Sequence, residues 1–338
     1  MISKFKIVNL GIENPLPSHL DTPENRKLIP ELRRQHVSFE LKKASTAITN
    51  AFRRVMLDEM EGKALQIEQD DIETDDENIL WPCLQKQIQC IRIHQDIPTN
   101  CRFTLDIKNK TAMPLMLTTG MLTTDSDLKI VPFNKTYRII TLREGKYIKL
   151  LNIRVITGSG TLFSNIVACR YKPLDVEMFD RGKGISSNAC DPKHFSFEFE
   201  TNGTANPITL LRTACKYIYD RCGLYLNELE HIEKSKSDHS SNMLDINKNA
   251  DITVFKFKND THTICNLITT TIYKNHPDIA LCNYGVVHPL EKITNLNIKA
   301  KDPIKLMIEA LENIIQTFKD LESQFVESNE HKTKDSKK

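Results

Sequence analysis

The pattern of apolar and polar positions predicts a strand, a helix and a second strand near the N-terminus. Within Ala44–Met60, apolar residues recur at the spacing of one helical face; they are Ile48, Ala51, Phe52, Val55 and Met56. Residues 36–41 before this stretch and 64–68 after it alternate with a period of two, which is typical of half-buried strands. Gly62 supplies a stop signal after the helix.

Short β-type runs separated by turn residues fill residues 101–171, which indicates a mainly β domain. An alternating strand is predicted at 194–200, and a helix led by Pro207 follows it as far as Glu233. Leu211 and Ile218 belong to the apolar positions that recur along this helix. Strand and helix therefore return after the β block.

Residues 234–249 are mostly polar and lack a sustained period, so they are predicted to form a linker. Beyond them the pattern predicts, in order, a strand, a helix, two strands and a final helix at 303–325. The charged residues 327–338 are predicted to be a disordered tail.

Both halves thus have an early amphipathic helix between strands and a long closing helix. We predict an α+β fold of two related modules, each a small sheet with two helices, that cover each other's apolar helix faces as an intramolecular pseudo-dimer. A mainly β domain is inserted in the first module. The predicted boundaries are 1–98 with 192–233 for the first module, 99–191 for the insertion, 234–249 for the linker and 250–326 for the second module.

Composition limits the classes of partner and the compartment that are expected for this chain. A formal charge of +2 from 46 basic and 44 acidic residues gives no strong field for binding nucleic acid, so DNA and RNA contact is expected only through partners. Nine cysteines without a Cys-x-x-Cys pair suit a reducing, intracellular compartment. No secretory h-region and no stretch long enough to span a bilayer is found, so no membrane association is expected.

Candidate chemistry is sparse. The Gly-containing segments 158–160 and 182–184 complete neither a dinucleotide-binding nor a P-loop pattern. The acidic run 70–77 offers carboxylates for Mg²⁺, but we interpret it as a solvated loop. We expect no catalytic residues, no cofactor and no metal.

The second half carries a more specific pattern. Residues 260–268 read Asp-Thr-His-Thr-Ile-Cys-Asn-Leu-Ile, and Tyr284 and His288-Pro289-Leu290-Glu291 follow in order. This run is very similar to the eleventh subunit of eukaryotic RNA polymerase II and its archaeal counterpart. The resemblance implies structural roles for a set of motif residues, namely Asn50 of the first half and His262, Asn266, Tyr284, His288 and Pro289.

The first half resembles a related subunit. Its segment Asn50-Ala51-Phe52-Arg53-Arg54 is similar to a helix of the bacterial alpha subunit and of the third-largest subunit of RNA polymerase II. One chain that joins both subunits resembles the arrangement in large cytoplasmic DNA viruses. Many third-subunit relatives hold zinc on clustered cysteines in the inserted domain, and this sequence lacks that cluster, so zinc is not expected.

The resemblance implies a non-catalytic assembly platform of a DNA-directed RNA polymerase, which binds and orients the two large catalytic subunits. Small polymerase subunits are further expected partners, and host cytoplasm and virion are the implied locations. Arg53 and Arg54 are candidates for contact with a large subunit, because guanidinium groups suit polar interfaces. The candidates for the pseudo-dimer interface are Ile48, Phe52, Val55, Met56, Leu211, Ile218, Ile264, Leu267, Leu311, Ile314, Ile315 and Phe318.

Two alternatives stay open. A stand-alone dimerising module outside a polymerase has the same helix patterns but no exposed apolar patch. An enzyme with an unrecognised site is the third class, and nucleotidyl transfer by the pure chain would favour it.

Overall fold

The structure is a computed structural model, and it describes residues 6–13, 35–124, 136–175, 192–235, 243–249, 251–260, 262–288, 291 and 293–335. The strands before the first long helix are β1 (Lys6–Glu13), β2 (Gln35–Lys42), β3 (Gly62–Gln66), β4 (Ile72–Thr74), β5 (Arg102–Lys108), β6 (Leu115–Thr118), β7 (Thr123–Thr124), β8 (Arg138–Leu142), β9 (Tyr147–Gly158), β10 (Ile166–Pro173) and β11 (His194–Thr201). The later strands are β12 (Leu244–Asn249), β13 (Ile252–Lys258), β14 (Leu281–His288) and β15 (Ile293–Lys299). The helices are α1 (Thr46–Arg54), α2 (Trp81–Gln89), α3 (Pro207–Ser235), α4 (His262–Asn275) and α5 (Pro303–Asp335).

The first module consists of one antiparallel sheet, in the order β1-β2-β11-β10, with helices α1 and α3. Its two central strands alternate strictly, so that every second side chain is buried. The buried apolar residues on these strands are Val37, Phe39, Leu41, Phe195, Phe197 and Phe199. One face of the sheet is therefore rich in aromatic side chains, and the helices pack against this face.

Helix α1 begins at a sequence signal and ends in an irregular turn. The Ser45 hydroxyl caps it by accepting a hydrogen bond from the backbone N–H of Ile48 at 3.3 Å. After Arg54 the chain continues as a π-helical turn, Val55–Glu59. The predicted helix over residues 44–60 is thus one α-helical segment followed by a wider turn, which the apolar period alone does not distinguish.

The second module has the antiparallel order β12-β13-β15-β14, with helices α4 and α5. Strand β12 lies within the stretch predicted as a linker, so that prediction is wrong for residues 244–249. The reason is that Leu244 and Ile246 are buried and β12 pairs along its length with β13. The sheet thereby gains a fourth strand.

The inserted domain comprises β3 to β9 and α2, and it has a separate apolar core. Its predicted boundaries, 99–191, differ from the structure at both ends. Strand β3 pairs with β9, so Leu65 joins the insertion core from before residue 99. Strand β10 lies inside the predicted insertion but pairs with β11 of the first module. Pairing between strands distant in sequence decides both boundaries.

Helix α5 is longer than its apolar pattern indicates. The predicted disordered tail begins at residue 327, whereas the helix continues to Asp335, so the prediction is wrong as far as that residue. The apolar period that predicted this helix ends at Phe325, so it gives no indication of the extension. No helix in the described part of the chain has the length and apolarity that crossing a bilayer requires.

Candidate pseudo-dimer interface

The two modules share one continuous apolar core, and we call their contact the seam. Helix α1 packs against α4, and α3 packs against α5. All twelve predicted interface residues belong to the shared core: ten are buried, and Ile48 and Ile315 are partly buried. Membership in this core is consistent with the predicted interface, although the role of each residue at the seam stays a prediction.

An aromatic side chain on the long helix of each module packs against aromatic rings of the other module. Phe325 of α5 is fully buried and lies 5.4 Å from the Phe39 ring and 6.1 Å from the Phe52 ring of the first module, measured between ring centroids. In return, Tyr225 of α3 lies edge-on to Phe257 of β13, with centroids 4.8 Å apart. This exchange means that neither module has a complete core without the other.

A buried polar cluster surrounds Asp260 on the side of the seam near β13. The Tyr225 hydroxyl donates a hydrogen bond to Asp260 Oδ2 at 2.7 Å, and Arg221 Nε lies 3.5 Å from the same oxygen. Arg221 also donates from Nη2 to the backbone carbonyl of Asn259 at 2.9 Å. Asp260 is only 6% exposed. A carboxylate this deeply buried needs such partners, because desolvating an unpaired charge is costly.

A second polar group links α1 with α4. Thr263 accepts a hydrogen bond from Arg54 Nε at 3.0 Å and donates one to Glu59 Oε1. Burial raises the pKa of Glu59, and the bond from Thr263 only partly opposes this. Burial, with Glu59 nearby, also raises the pKa of Tyr217 to about 12. These ionisable groups lie close together at the seam.

Two further contacts join α5 to the first module. Glu322 accepts hydrogen bonds from Tyr219 at 3.0 Å and from Arg212 Nε at 3.2 Å. Gln324 Oε1 accepts one from the backbone N–H of Ile7 at 2.9 Å. The last contact occupies a donor of strand β1, so α5 also anchors the edge of the first sheet.

The two candidate arginines occupy different surroundings. Arg54 binds Thr263 across the seam, as described above. Arg53 donates from both Nε and Nη2 to Asn50 Oδ1 on its own helix, at 3.1 Å each. Asn50 thus orients Arg53 along its own helix, whereas Arg54 reaches Thr263 of the other module.

The motif residues of the second module lie around the start of α4 and the β14 strand. The His262 ring packs edge-on against Tyr284, with centroids 5.8 Å apart. The His288 backbone carbonyl accepts a hydrogen bond from the N–H of Glu291 at 3.1 Å. Asn266 is partly buried on α4, and Pro289 lies outside the described residues. Structural roles for these residues stay a prediction.

The acidic run 70–77 is only partly the solvated loop that we predicted: Asp70, Glu73, Asp75 and Glu77 are exposed, but the prediction is wrong for residues 72–74 and for Asp76. It contains strand β4, and Asp76 is buried. Although burial opposes ionisation, hydrogen bonds from the Arg143 side chain and backbone keep the pKa of Asp76 below its ordinary value. The nearest Arg143 nitrogen lies 2.7 Å from Asp76 Oδ1. Among the described residues, no group of three or more His, Cys, Asp or Glu is arranged to hold a metal ion.

Several residues that join the modules are not among the predicted interface residues; examples are Glu59, Arg221, Tyr225, Asp260 and Phe325. Phe325 lies one heptad beyond Phe318, so its helical spacing is a usable signal. Arg221 and Tyr225 are four residues apart on α3 and share a face. Their partner Asp260 is distant in sequence, and no local pattern reveals that pairing.

Comparison with known protein families defines the class. The description "RNA polymerase Rpb3/Rpb11 dimerisation domain" matches twice, at residues 38–222 and at 253–324. The first match alone covers more than half of the chain, which therefore belongs to this family. The second match covers most of the second module, so two dimerisation domains are fused in one polypeptide. The predicted α+β fold of two related modules is confirmed.

The names of individual relatives also indicate a fusion of the two subunits. The chain is 26% identical over 339 residues to the DNA-directed RNA polymerase RPB3-11 homolog of African swine fever virus (strain Badajoz 1971 Vero-adapted), with 93% of each chain covered. It is 25% identical, with the same coverage, to the homolog from isolate Tick/Malawi/Lil 20-1/1983. The resemblance to a fusion of the third-largest and eleventh polymerase subunits is thereby confirmed.

Proposed function

We propose that this chain is an assembly subunit of a multisubunit DNA-directed RNA polymerase, and that it binds and orients the two large catalytic subunits. The observation that carries this proposal is the shared core of two family dimerisation domains within one chain. Fusion fixes their stoichiometry and gives each module a high effective concentration of its partner. The relatives' names, which identify them as polymerase components, support the same function.

The proposed role is non-catalytic, with nucleotide chemistry carried out by the large subunits. The acidic residues that most resemble a metal site are already engaged: Asp76 by Arg143, and Glu73 by Lys149 at 3.5 Å. Both matched domains are described by dimerisation rather than by a reaction. A scaffold needs only a stable shape with an exposed docking surface.

Arg53 is our first choice for the contact with a large subunit. Its guanidinium is oriented by Asn50, whereas Arg54 is engaged at the seam. A groove of about 310 Å³ lies beside the same elements, where the π-helical turn, β10 and the inserted domain meet. Leu57 and Val167 line it, and Val167 is 46% exposed. The groove is lined by apolar and polar residues together, and such a surface suits a mixed polar and apolar protein interface.

Recovery of partners tests the proposal. The tagged full chain, isolated from its native source, is expected to recover large polymerase subunits, and mass spectrometry identifies them. Arg53→Ala is expected to lower that recovery at least tenfold while the Tm changes by only about 1 °C. Failure of the unsubstituted chain to recover any large subunit would instead support the stand-alone module.

The matched control is Arg170→Ala. Arg170 is another surface arginine of the first module, and it pairs with Glu198 at 2.7 Å. Recovery is expected to be unchanged in this variant. An equal loss with both substitutions would mean that general surface charge, rather than Arg53, supports the interaction.

We further propose that the chain acts inside cells, in host cytoplasm and in the virion of a large DNA virus, where small polymerase subunits are additional partners. The eight cysteines in the described part of the chain are all unpaired, which suits a reducing compartment. The viral source of the relatives supports the virion. Immunoblots of fractionated infected cells and purified particles test this location.

A further inference from the structure

The two modules have equivalent positions that can be identified from their backbones. Lys43 after β2 and Asn259 after β13 are both non-glycine residues with positive φ, 63° and 59°. Each lies three residues before the first residue of a helix, α1 or α4. The long helices α3 and α5 both begin with proline, at Pro207 and Pro303. Lys43 therefore corresponds to Asn259, and Pro207 corresponds to Pro303. Counting along the chain from these two pairs gives the equivalent positions in the two modules.

By this relation, the buried cluster at Asp260 exists on only one side of the seam. The equivalent of Asp260 is Ala44, which is also buried. The equivalents of Arg221 and Tyr225 on α5 are Thr317 and Leu321. One side of the seam therefore carries a buried carboxylate paired with a partly buried arginine and a tyrosine hydroxyl, and the other carries no charge at these positions.

The contact at Glu322 has the same asymmetry. The equivalent of Glu322 on α3 is Leu226. The equivalents of its partners Arg212 and Tyr219 are Ile308 and Ile315. Leu226, Ile308 and Ile315 are all partly buried against the shared core. A second, independent set of residues is thus polar on one side of the seam and apolar on the other.

We infer that these one-sided polar contacts are specificity determinants, which make each module pair with the other kind and reject its own kind. If two first modules paired, Arg221 of each would face Ala44 of the other. If two second modules paired, each Asp260 would face Thr317 and Leu321. Both arrangements separate Arg221 and Asp260 from the partners that they have across the seam, and the loss of an ion pair at a largely buried site is a strong penalty against pairing.

Rejection of like modules matters even in a fused chain. Two chains could otherwise form a closed dimer in which the first modules pair together and the second modules pair together. Such a dimer would contain two Arg221 and two Asp260 side chains that have lost their contact with each other across the seam. The inference concerns the pairing of the modules alone, so it does not depend on the proposed polymerase role.

The test replaces the whole cluster by apolar side chains of similar size in the full chain: Arg221→Met, Tyr225→Phe and Asp260→Leu. Changing Arg221 and Tyr225 together with Asp260 avoids the guanidinium without a carboxylate that Asp260→Leu alone would leave, so the triple variant is expected to fold. Equal amounts of isotope-labelled and unlabelled chain are unfolded together and refolded at several concentrations. Sedimentation velocity measures the dimer, and cross-linking mass spectrometry identifies the paired helices through Lys216 of α3 and Lys319 of α5, both exposed.

The triple variant is expected to dimerise at least about a hundredfold more strongly than the unsubstituted chain. Cross-links between a labelled and an unlabelled Lys216 should accompany the dimer. The control, Arg170→Gln with Glu198→Gln, removes an exposed ion pair with the same charges and should behave like the unsubstituted chain.

Either of two outcomes overturns the inference. One is a folded triple variant with unchanged dimerisation and only Lys216–Lys319 cross-links. The other is a triple variant that does not unfold cooperatively, because the cluster would then be needed for stability rather than for choosing a partner.

Discussion

Single residues show how burial alone does not set the charge state of a carboxyl group. Asp76 and Glu59 are both withdrawn from solvent, yet their pKa values shift in opposite directions. Asp76 has a guanidinium and backbone N–H groups as donors, which outweigh desolvation. Glu59 is only partly buried and accepts a hydrogen bond from the Thr263 hydroxyl, yet desolvation dominates. The local donor set decides each case.

Glu59→Gln is expected to stabilise the chain near neutral pH. Because the folded-state pKa of Glu59 is raised, the fold favours the protonated form, and stability falls as pH rises from the ordinary glutamate pKa, about 4.3, through the folded-state value. Glutamine resembles the protonated form and can still accept from Thr263. The Tm difference between variant and unsubstituted chain should therefore be small near pH 4 and increase toward pH 8. Thermal melts across this range measure it, and a constant difference would contradict the expectation.

Asp76→Asn is expected to destabilise the inserted domain, lowering its Tm by roughly 3 °C or more. The substitution removes the carboxylate that binds Arg143. The depressed pKa means that this stabilisation is present above the ordinary aspartate pKa, about 3.9, and is lost as pH falls through the folded-state value. The loss in Tm should thus be full at pH 7 and should shrink in strongly acidic buffer. Glu77→Gln, at an exposed neighbour, is the control and should change little.

The sequence predicted many of the seam residues that are buried in the core, but it did not predict which distant residues they contact. Apolar stripes identify core positions such as Phe52 and Leu311 because helical periodicity is local. The surroundings of Arg54 depend on Thr263, about two hundred residues away, and periodicity carries no information on that contact. The acidic run shows the same limit, since the partner of buried Asp76 is Arg143, which is distant in sequence and not indicated by the run itself.

The helices were easier to predict from the sequence than the sheet to which each strand belongs. The bounds of α3 and α4 follow from apolar spacing and from Pro207, which are local signals. Strand β10 looks like its neighbours in the β block, yet it pairs with β11 in another sheet. Only the partner strand distinguishes the two assignments, so the insertion boundaries could not be read from pattern.

Gly62→Ala tests how the first module connects to the inserted domain. A Cβ at residue 62 would lie 1.9 Å from the Phe163 carbonyl oxygen, and both groups are backbone-linked, so the loop after β9 must move. We expect a loss of about 1–3 kcal/mol of unfolding free energy, as for overpacked sites. Denaturant unfolding measures the loss. Gly285→Ala is the control, since nothing lies within 4 Å of its new Cβ, and equal losses in both variants would refute the steric explanation.

In the whole molecule, the apolar cores do not correspond one to one with the domains. There are two family matches and one inserted domain, but the described buried residues form two principal clusters. The modules share the larger cluster, and the insertion has the smaller one. Modules that complete each other's core should unfold together, whereas the insertion can unfold separately.

Differential scanning calorimetry can test this division, because each core has a fully buried phenylalanine. Phe325 crosses the seam in the shared core, and Phe103 lies in the insertion core. Phe325→Ala should cost about 3–5 kcal/mol in the transition of the paired modules and leave the insertion transition in place. Phe103→Ala should have a similar cost in the insertion transition alone.

Each substitution controls for the other, since both remove the same buried ring. The decisive feature of Phe325→Ala is that its residue lies in the second module but contacts rings of the first, Phe39 and Phe52. A shared core requires both modules to melt together at the lower temperature. If the second module instead melted alone while the first kept its original transition, the modules would be separate folding units joined at a surface. The platform would then rest on association rather than on a common core.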